Sequence, residues 1–164
     1  MMRGALIGLG AAAALAIPAQ AQLLTHKDLS LAMATTIAQT ALDLCTSQSY
    51  GGYGVSVVVV DRAGDTIVAL RSDTAGPHTM ENARRKAYTA RTFRVSTTEY
   101  AKRYADNNPV VHQQVTLPSI IAIPGGLPIK AGDDVIGAVG VSGTPGKDDV
   151  CSQAGIDKVA DQLK

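Results

Sequence analysis

The chain has 164 residues, with 15 Lys and Arg against 14 Asp and Glu, 46% hydrophobic residues, no Trp and one Phe. A formal net charge of +1 excludes generic binding of nucleic acid or of an anionic membrane surface, which needs a basic excess or stripe. The length suits one domain with a real core rather than two.

At the N-terminus, Arg3, an apolar run from Gly4 to Ile17 and Ala19-Gln20-Ala21 read as n-region, h-region and small-residue cleavage site. The sequence therefore predicts a signal peptide over residues 1–21 and a domain over 22–164 that is periplasmic or secreted. The run is about 14 residues, shorter than the roughly 20 that cross a bilayer, so no membrane span is expected in the mature chain. No cysteine stands directly after the cleavage position, where Gln22 is found, and no twin-arginine pair precedes it. The expectation is an unlipidated protein that meets any guest after export. Cleavage removes one charged residue, Arg3, and leaves basic and acidic residues in balance.

In LSLAMATTIAQTALDLC, Leu29, Met33, Ile37, Ala41 and Leu44 recur at three- and four-residue intervals. This predicts an amphipathic helix from His26 or Lys27 to about Ser47, with Asp28 as N-cap. The glycine-rich stretch Tyr50-Gly51-Gly52-Tyr53-Gly54 stops it, and its two tyrosines either bind a ligand or cover the sheet edge. Val55 to Val60 and Thr66 to Leu70, joined by Asp61-Arg62-Ala63-Gly64-Asp65, predict a hairpin whose first strand is apolar on both faces and therefore central. Asp61 is a turn-capping aspartate or, in an enzyme, a base.

AGPHTMENARRKAYTA, residues 75–90, opens a helix of about 16 residues with Thr79 as N-cap, Glu81 at its positive end, and Glu81 paired with Arg85. Ala83, Ala87 and Ala90 form a stripe without bulk, which predicts a close helix-on-sheet contact or a floor beneath a guest. A short helix is expected from Thr98 to Asn107, ended by Asn107-Asn108-Pro109, and His112 follows in a polar loop. From Ser119 on, Pro-Gly-Gly and Gly-Asp-Asp turns separate two or three antiparallel strands. Gly137 and Gly140 leave room there for a backbone or a flat ligand, or simply weaken packing. Lys147 to Leu163 predicts a closing helix.

The order helix, hairpin, helix, strands, helix predicts a three-layer α/β/α domain around an antiparallel sheet of about five strands. Side-by-side terminal helices would bring Cys45 near Cys151. In an oxidising compartment the pair is expected as a disulfide whose long loop is worth on the order of 4 kcal/mol.

Hydrolase elbow, zinc-protease and phosphate-loop motifs are absent, and Gly8-Leu9-Gly10 falls in the leader. His26, His78 and His112 are isolated, without metal or triad spacing. His78 followed by Arg84, Arg85 and Lys86 is a donor or ligand beside a cationic helix, or an ordinary helix start with a solvated basic face.

GVSVVVVDRAGDTIVALR, HTMENARRKAYTA and IPGGLPIKAGDDVIGAVGVSGTPGKDD together resemble the GlcG/HbpS-type haem-binding family, which includes the carboxy-terminal domain of PduO-type proteins. The resemblance covers nearly all of the mature chain. It implies a profilin-like α/β/α fold, homo-oligomers, and haem binding or haem handling in some members. Axial ligation varies across that family, and His78 is the best match for a haem-iron ligand. Arg84, Arg85 and Lys86 are candidate propionate partners, and Gly125 and Gly126 candidate close-approach backbone. With one Phe and no Trp, a haem would rest on aliphatic side chains or at a subunit interface.

The expectation is thus an exported, non-catalytic, self-associating protein for haem or a related tetrapyrrole. Two alternatives stand beside it. One is an enzyme or accessory factor acting on a small anionic metabolite, with His78 or Asp61 as base. The other is a structural or stress oligomer without a ligand.

Overall fold

The computed structural model describes residues 22–50 and 54–164. The predicted signal peptide and Tyr53 with its two neighbouring glycines, Gly51 and Gly52, lie outside the described residues. Helix α1 (Leu31–Thr46) begins at a serine cap: Ser30 accepts a hydrogen bond from the Met33 amide at 3.2 Å. Asp28, expected as the cap, instead accepts from the amides of Leu29 and Arg62, so the helix starts later than its apolar spacing predicts. Ile37, Ala38, Ala41 and Cys45 on its inner face are buried.

Strands β1 (Ser56–Val60) and β2 (Thr66–Arg71) form the expected hairpin, and β3 (Gly126–Ala131) and β4 (Asp134–Ser142) form a second. The sheet order is β2-β1-β4-β3, antiparallel throughout, so β1 is central as its two-sided apolar pattern requires. Four strands are found among the described residues, not about five. The segment Ser119 to Ile123, apolar enough to read as strand, pairs with none. Its polar groups bond side chains of a helix earlier in the chain, Thr79–Phe93, instead: Arg84 lies 3.4 Å from Ser119 Oγ, Arg85 donates to the Ile120 carbonyl, and Thr89 Oγ1 accepts from the Ile121 amide at 2.9 Å.

Helix α2 (Thr79–Phe93) covers one face of the sheet. Val58, Val60 and Ala138 meet Ala83, Ala87 and Ala90 there. The contact is close because β4 carries Gly140 beneath the alanine stripe. A Cβ at that position would fall on the Ala83 carbonyl oxygen and 2.6 Å from the Ala87 nitrogen. The space at Gly140 therefore admits the helix backbone, not a ligand. On the other face, α1 and α5 (Asp148–Asp157) pack over Val57, Val59, Val139 and Val141. The result is the expected α/β/α layering. Cys45 and Cys151 are joined between α1 and α5, with Cα atoms 5.9 Å apart, and both are fully buried.

Between α2 and the second hairpin lie α3 (Thr97–Ala105) and α4 (Pro109–Gln114). Asn107, at φ +57, ends the first, while Asn108 caps the second by accepting from the amides of Val110 and Val111. The tripeptide expected only as a stop is therefore also a start. His112 consequently sits in a helix rather than in a loop, its Nε2 3.1 Å from the Tyr104 carbonyl and its ring against Tyr104. No described helix is long and apolar enough to cross a membrane.

Candidate functional site

The N-terminal end of α2 meets the C-terminal end of β4 at a cleft of about 420 Å³. His78, Thr79, Asn82 and Lys86 enter it from the helix, Ser142, Gly143 and Pro145 from β4 and the loop that follows, and Asp148 from the start of α5. A second depression of about 360 Å³ shares Ile123, Pro145 and Asp148 with it and continues past Pro124 to Thr98 and Asp149. The two are halves of one trough along the sheet end.

His78 occupies the helix N-cap position but makes no capping bond, and its exposed imidazole has no hydrogen-bond partner among the described residues. Thr79, expected as the cap, is instead the first helical residue. Its hydroxyl donates to the Gly76 carbonyl at 2.7 Å and lies 2.8 Å from Ser56 Oγ, turned into the sheet. Polar bonding of this helix start thus runs through Thr79, which leaves His78 at the mouth of the cleft.

The three consecutive cations of α2 separate completely. Arg84 makes a two-pronged pair with Glu81 at 2.8 and 2.9 Å, in place of the predicted Glu81–Arg85 pair. Those hydrogen bonds hold the Glu81 carboxyl below its ordinary range, partly opposed by burial. Arg85 reaches the Ile120 carbonyl, and neither arginine lines the cleft. Lys86 points inward and is 1% exposed. Its Nζ donates to the Val141 carbonyl at 2.9 Å and to Asp148 Oδ2 at 2.7 Å.

Asp148 gathers the floor of the cleft. While Oδ2 takes Lys86, Oδ1 accepts from the Thr144 amide at 2.8 Å and the Thr144 hydroxyl at 2.6 Å. Thr144 Oγ1 also lies 3.2 Å from Cys45 Sγ, so the disulfide borders the same network. Asp149 acts in parallel: Oδ1 accepts from the Gly125 amide at 2.8 Å, and Oδ2 from the Thr98 hydroxyl.

Gly125 and Gly126 sit behind Lys86 rather than in the lining of the cleft. At Gly125, with φ +123, a Cβ would lie 2.7 Å from both the Asp148 Cβ and the Val141 oxygen, and 3.0 Å from Lys86 Nζ. Gly126 lies against the Lys86 carbonyl. Their close approach is to the buried ion pair and to α2. Asp61 stands in the β1–β2 turn, where its carboxylate accepts from the Asp65 amide at 2.9 Å, outside the cleft.

Of the sequence-predicted residues, then, the fold brings His78 and Lys86 into one cleft and leaves Arg84 and Arg85 outside it. Asn82, Ser142 and Asp148 were not singled out by sequence. A signal existed for the lysine: Thr79, Ala83, Lys86 and Ala90 recur at helical spacing, which puts Lys86 on the inward stripe. Ser142 continues the face of Ala138 and Gly140 at the two-residue spacing of a strand, toward α2. Nothing local marks Asp148 as the partner of a residue 62 positions earlier.

Known proteins share this architecture. GlcG of Escherichia coli K12 is 31% identical over 90 residues, covering 55% of this chain. The chain spans less than two thirds of the curated relatives it matches, 61% to 65% of their length. A double mutant of Streptomyces reticuli HbpS superposes with a TM-score of 0.75 at 35% identity, over 87% of this chain and 96% of that one. A haem complex of PduOC has the same fold at 22% identity, with a TM-score of 0.69 over 80% and 95% of the two chains. Residues 29–157 match the family described as haem degrading protein HbpS-like, and the chain belongs to that family.

Proposed function

We propose that this is an exported, non-catalytic binding protein for haem or a related tetrapyrrole, that it self-associates, and that residues 1–21 are its export signal. The observation that carries the ligand reading is His78: an exposed imidazole without a partner among the described residues, at the mouth of a trough. Neutral imidazole is a common axial ligand of haem iron.

The residues present fit such a guest. A planar macrocycle needs an elongated trough with apolar walls, and Ile123, Pro124 and Pro145 supply aliphatic surface along both halves. Among the described residues no aromatic side chain lines the trough, in keeping with a shallow seat that a second subunit would close. His78 would hold the iron, whose redox and ligand-exchange chemistry is what a bound haem supplies. The description of the family as haem degrading and the haem in the PduOC complex favour the same class of guest. The leader pattern and the Cys45–Cys151 disulfide support export, because such bonds persist in oxidising compartments.

Titration of the purified mature protein with haemin should produce a saturable Soret shift, and His78→Ala should weaken binding and alter the spectrum. An unchanged spectrum and affinity in His78→Ala would remove the ligand assignment. The absence of any shift in the wild type would remove the haem reading.

A further inference from the structure

We infer that the half of the trough nearest His78 is a carboxylate-binding site, formed by Lys86 Nζ, Ser142 Oγ and the Asn82 amide. The carboxylate would belong either to a propionate arm of a tetrapyrrole or to a small free carboxylic acid. In its tetrapyrrole form the inference rests on the haem reading above.

Donor capacity is the first argument. An ammonium has three N–H donors. Lys86 uses one on Val141 and one on Asp148, and no third partner exists among the described residues. The lysine nevertheless forms part of the cleft wall. A strongly hydrated ammonium kept at the base of a cleft with a donor unspent is matched by an anionic oxygen.

Ser142 is the second and independent observation. It is 4% exposed, lines the same cleft, and its hydroxyl makes no hydrogen bond among the described residues. The residue is buried while its hydroxyl opens onto the cleft, where a ligand oxygen can take the place of water. The Asn82 side chain likewise lines the cleft with no partner among the described residues. One turn of helix separates Asn82 from Lys86, which places them on the same face.

The cation of the cleft is already paired. Asp148 shares the wall, but its two oxygens already accept three hydrogen bonds, from Lys86 and from the amide and hydroxyl of Thr144. Asp149, in the other half of the trough, is engaged with Gly125 and Thr98. Lys86 and Asp148 offset each other in this half, and Asp149 adds a second negative charge in the other, so the trough has no surplus of positive charge. Recognition would rest on directed hydrogen bonds rather than on a broad positive field, which suits one anionic head with an apolar body across Ile123 and Pro145.

The test compares haemin with haemin dimethyl ester, in which both propionates are masked, and adds sodium malonate as a free carboxylate. Wild type should bind haemin about tenfold or more tightly than the diester, the scale of charge-assisted hydrogen bonds. Lys86→Met should abolish that preference. Ser142→Ala, which leaves the ion pair intact and guards against misfolding of the lysine variant, should reduce it several-fold without moving the Soret maximum. Equal binding of haemin and diester by the wild type overturns the inference while leaving the haem reading standing. So does a preference that survives both substitutions. If neither porphyrin binds, the haem reading fails and malonate decides: a rise in wild-type Tm that Ser142→Ala diminishes supports the site, and no rise overturns it.

Discussion

Reduction of the Cys45–Cys151 bond should lower the stability of the fold by several kcal/mol. The two cysteines lie 106 residues apart. In the chain-entropy relation, closing a loop of that length removes roughly 16 cal/mol/K from the unfolded ensemble, or about 4.8 kcal/mol at 25 °C. For a domain of this size the corresponding fall in Tm is on the order of 10–15 °C. Reduced wild type is the right comparison, because both sulfurs are fully buried and an alanine replacement would add a cavity cost. Urea unfolding followed by far-UV circular dichroism, with and without reductant, measures the difference. A loss below about 1 kcal/mol would refute the claim that the bond restrains the unfolded chain as its span requires.

Gly140→Ala should destabilise by at least about 3 kcal/mol, beyond the usual cost of overpacking, because the added methyl meets the backbone of α2 rather than a side chain that could rotate away. Urea midpoints check it, and a change under about 1 kcal/mol would mean that α2 does not sit directly on β4. The Glu81–Arg84 pair gives a pH-dependent expectation. Because the folded carboxyl is held below its ordinary value of 4.5, first by the Arg84 hydrogen bonds, its contribution is present above the unfolded value and lost as pH falls through the folded one. Wild type and Glu81→Gln should therefore differ at neutral pH by no more than a few tenths of a kcal/mol, since the pair is largely exposed, and converge in acid. A gap that widens on acidification would contradict the sign.

The layers of this fold could be read from periodicity. Ile37 and Ala41 at helical spacing, and the unbroken Val57 to Val60 run, fixed which elements bury a face and which strand is central. The misread positions have local physical causes. Ser30 displaced Asp28 as a cap because either side chain can accept an amide hydrogen bond, and only packing decides which turn begins the helix. Ile120 to Ile123 looks like a strand by composition, but its backbone groups are met by Arg85 and Thr89, long-range partners that no window of sequence contains.

The candidate site was legible only in part. His78 stood out as an isolated imidazole before a helix, and it does border the cleft. Arg84, Arg85 and Lys86 looked interchangeable in sequence, yet 100° of rotation per residue sends them to three different neighbours. Gly125 looked like room for a ligand and proved to be room for an ion pair. Such pairings depend on which elements the topology makes adjacent, and that information is not local.

Asp148 and Asp149 have a consequence for the order in which the molecule can be completed. All four strands and α2 precede them in the chain, so the sheet and one whole helical layer lie upstream of Ser142. The floor of the trough does not: Lys86, Thr144, Gly125 and Thr98 are each tied to one of these two carboxylates. A chain ending at Ser142 would hold every described strand and lack the finished floor of the trough. On the proposed function, guest binding would follow the docking of the last helix, and an unfinished chain would lack the means to capture a ligand early.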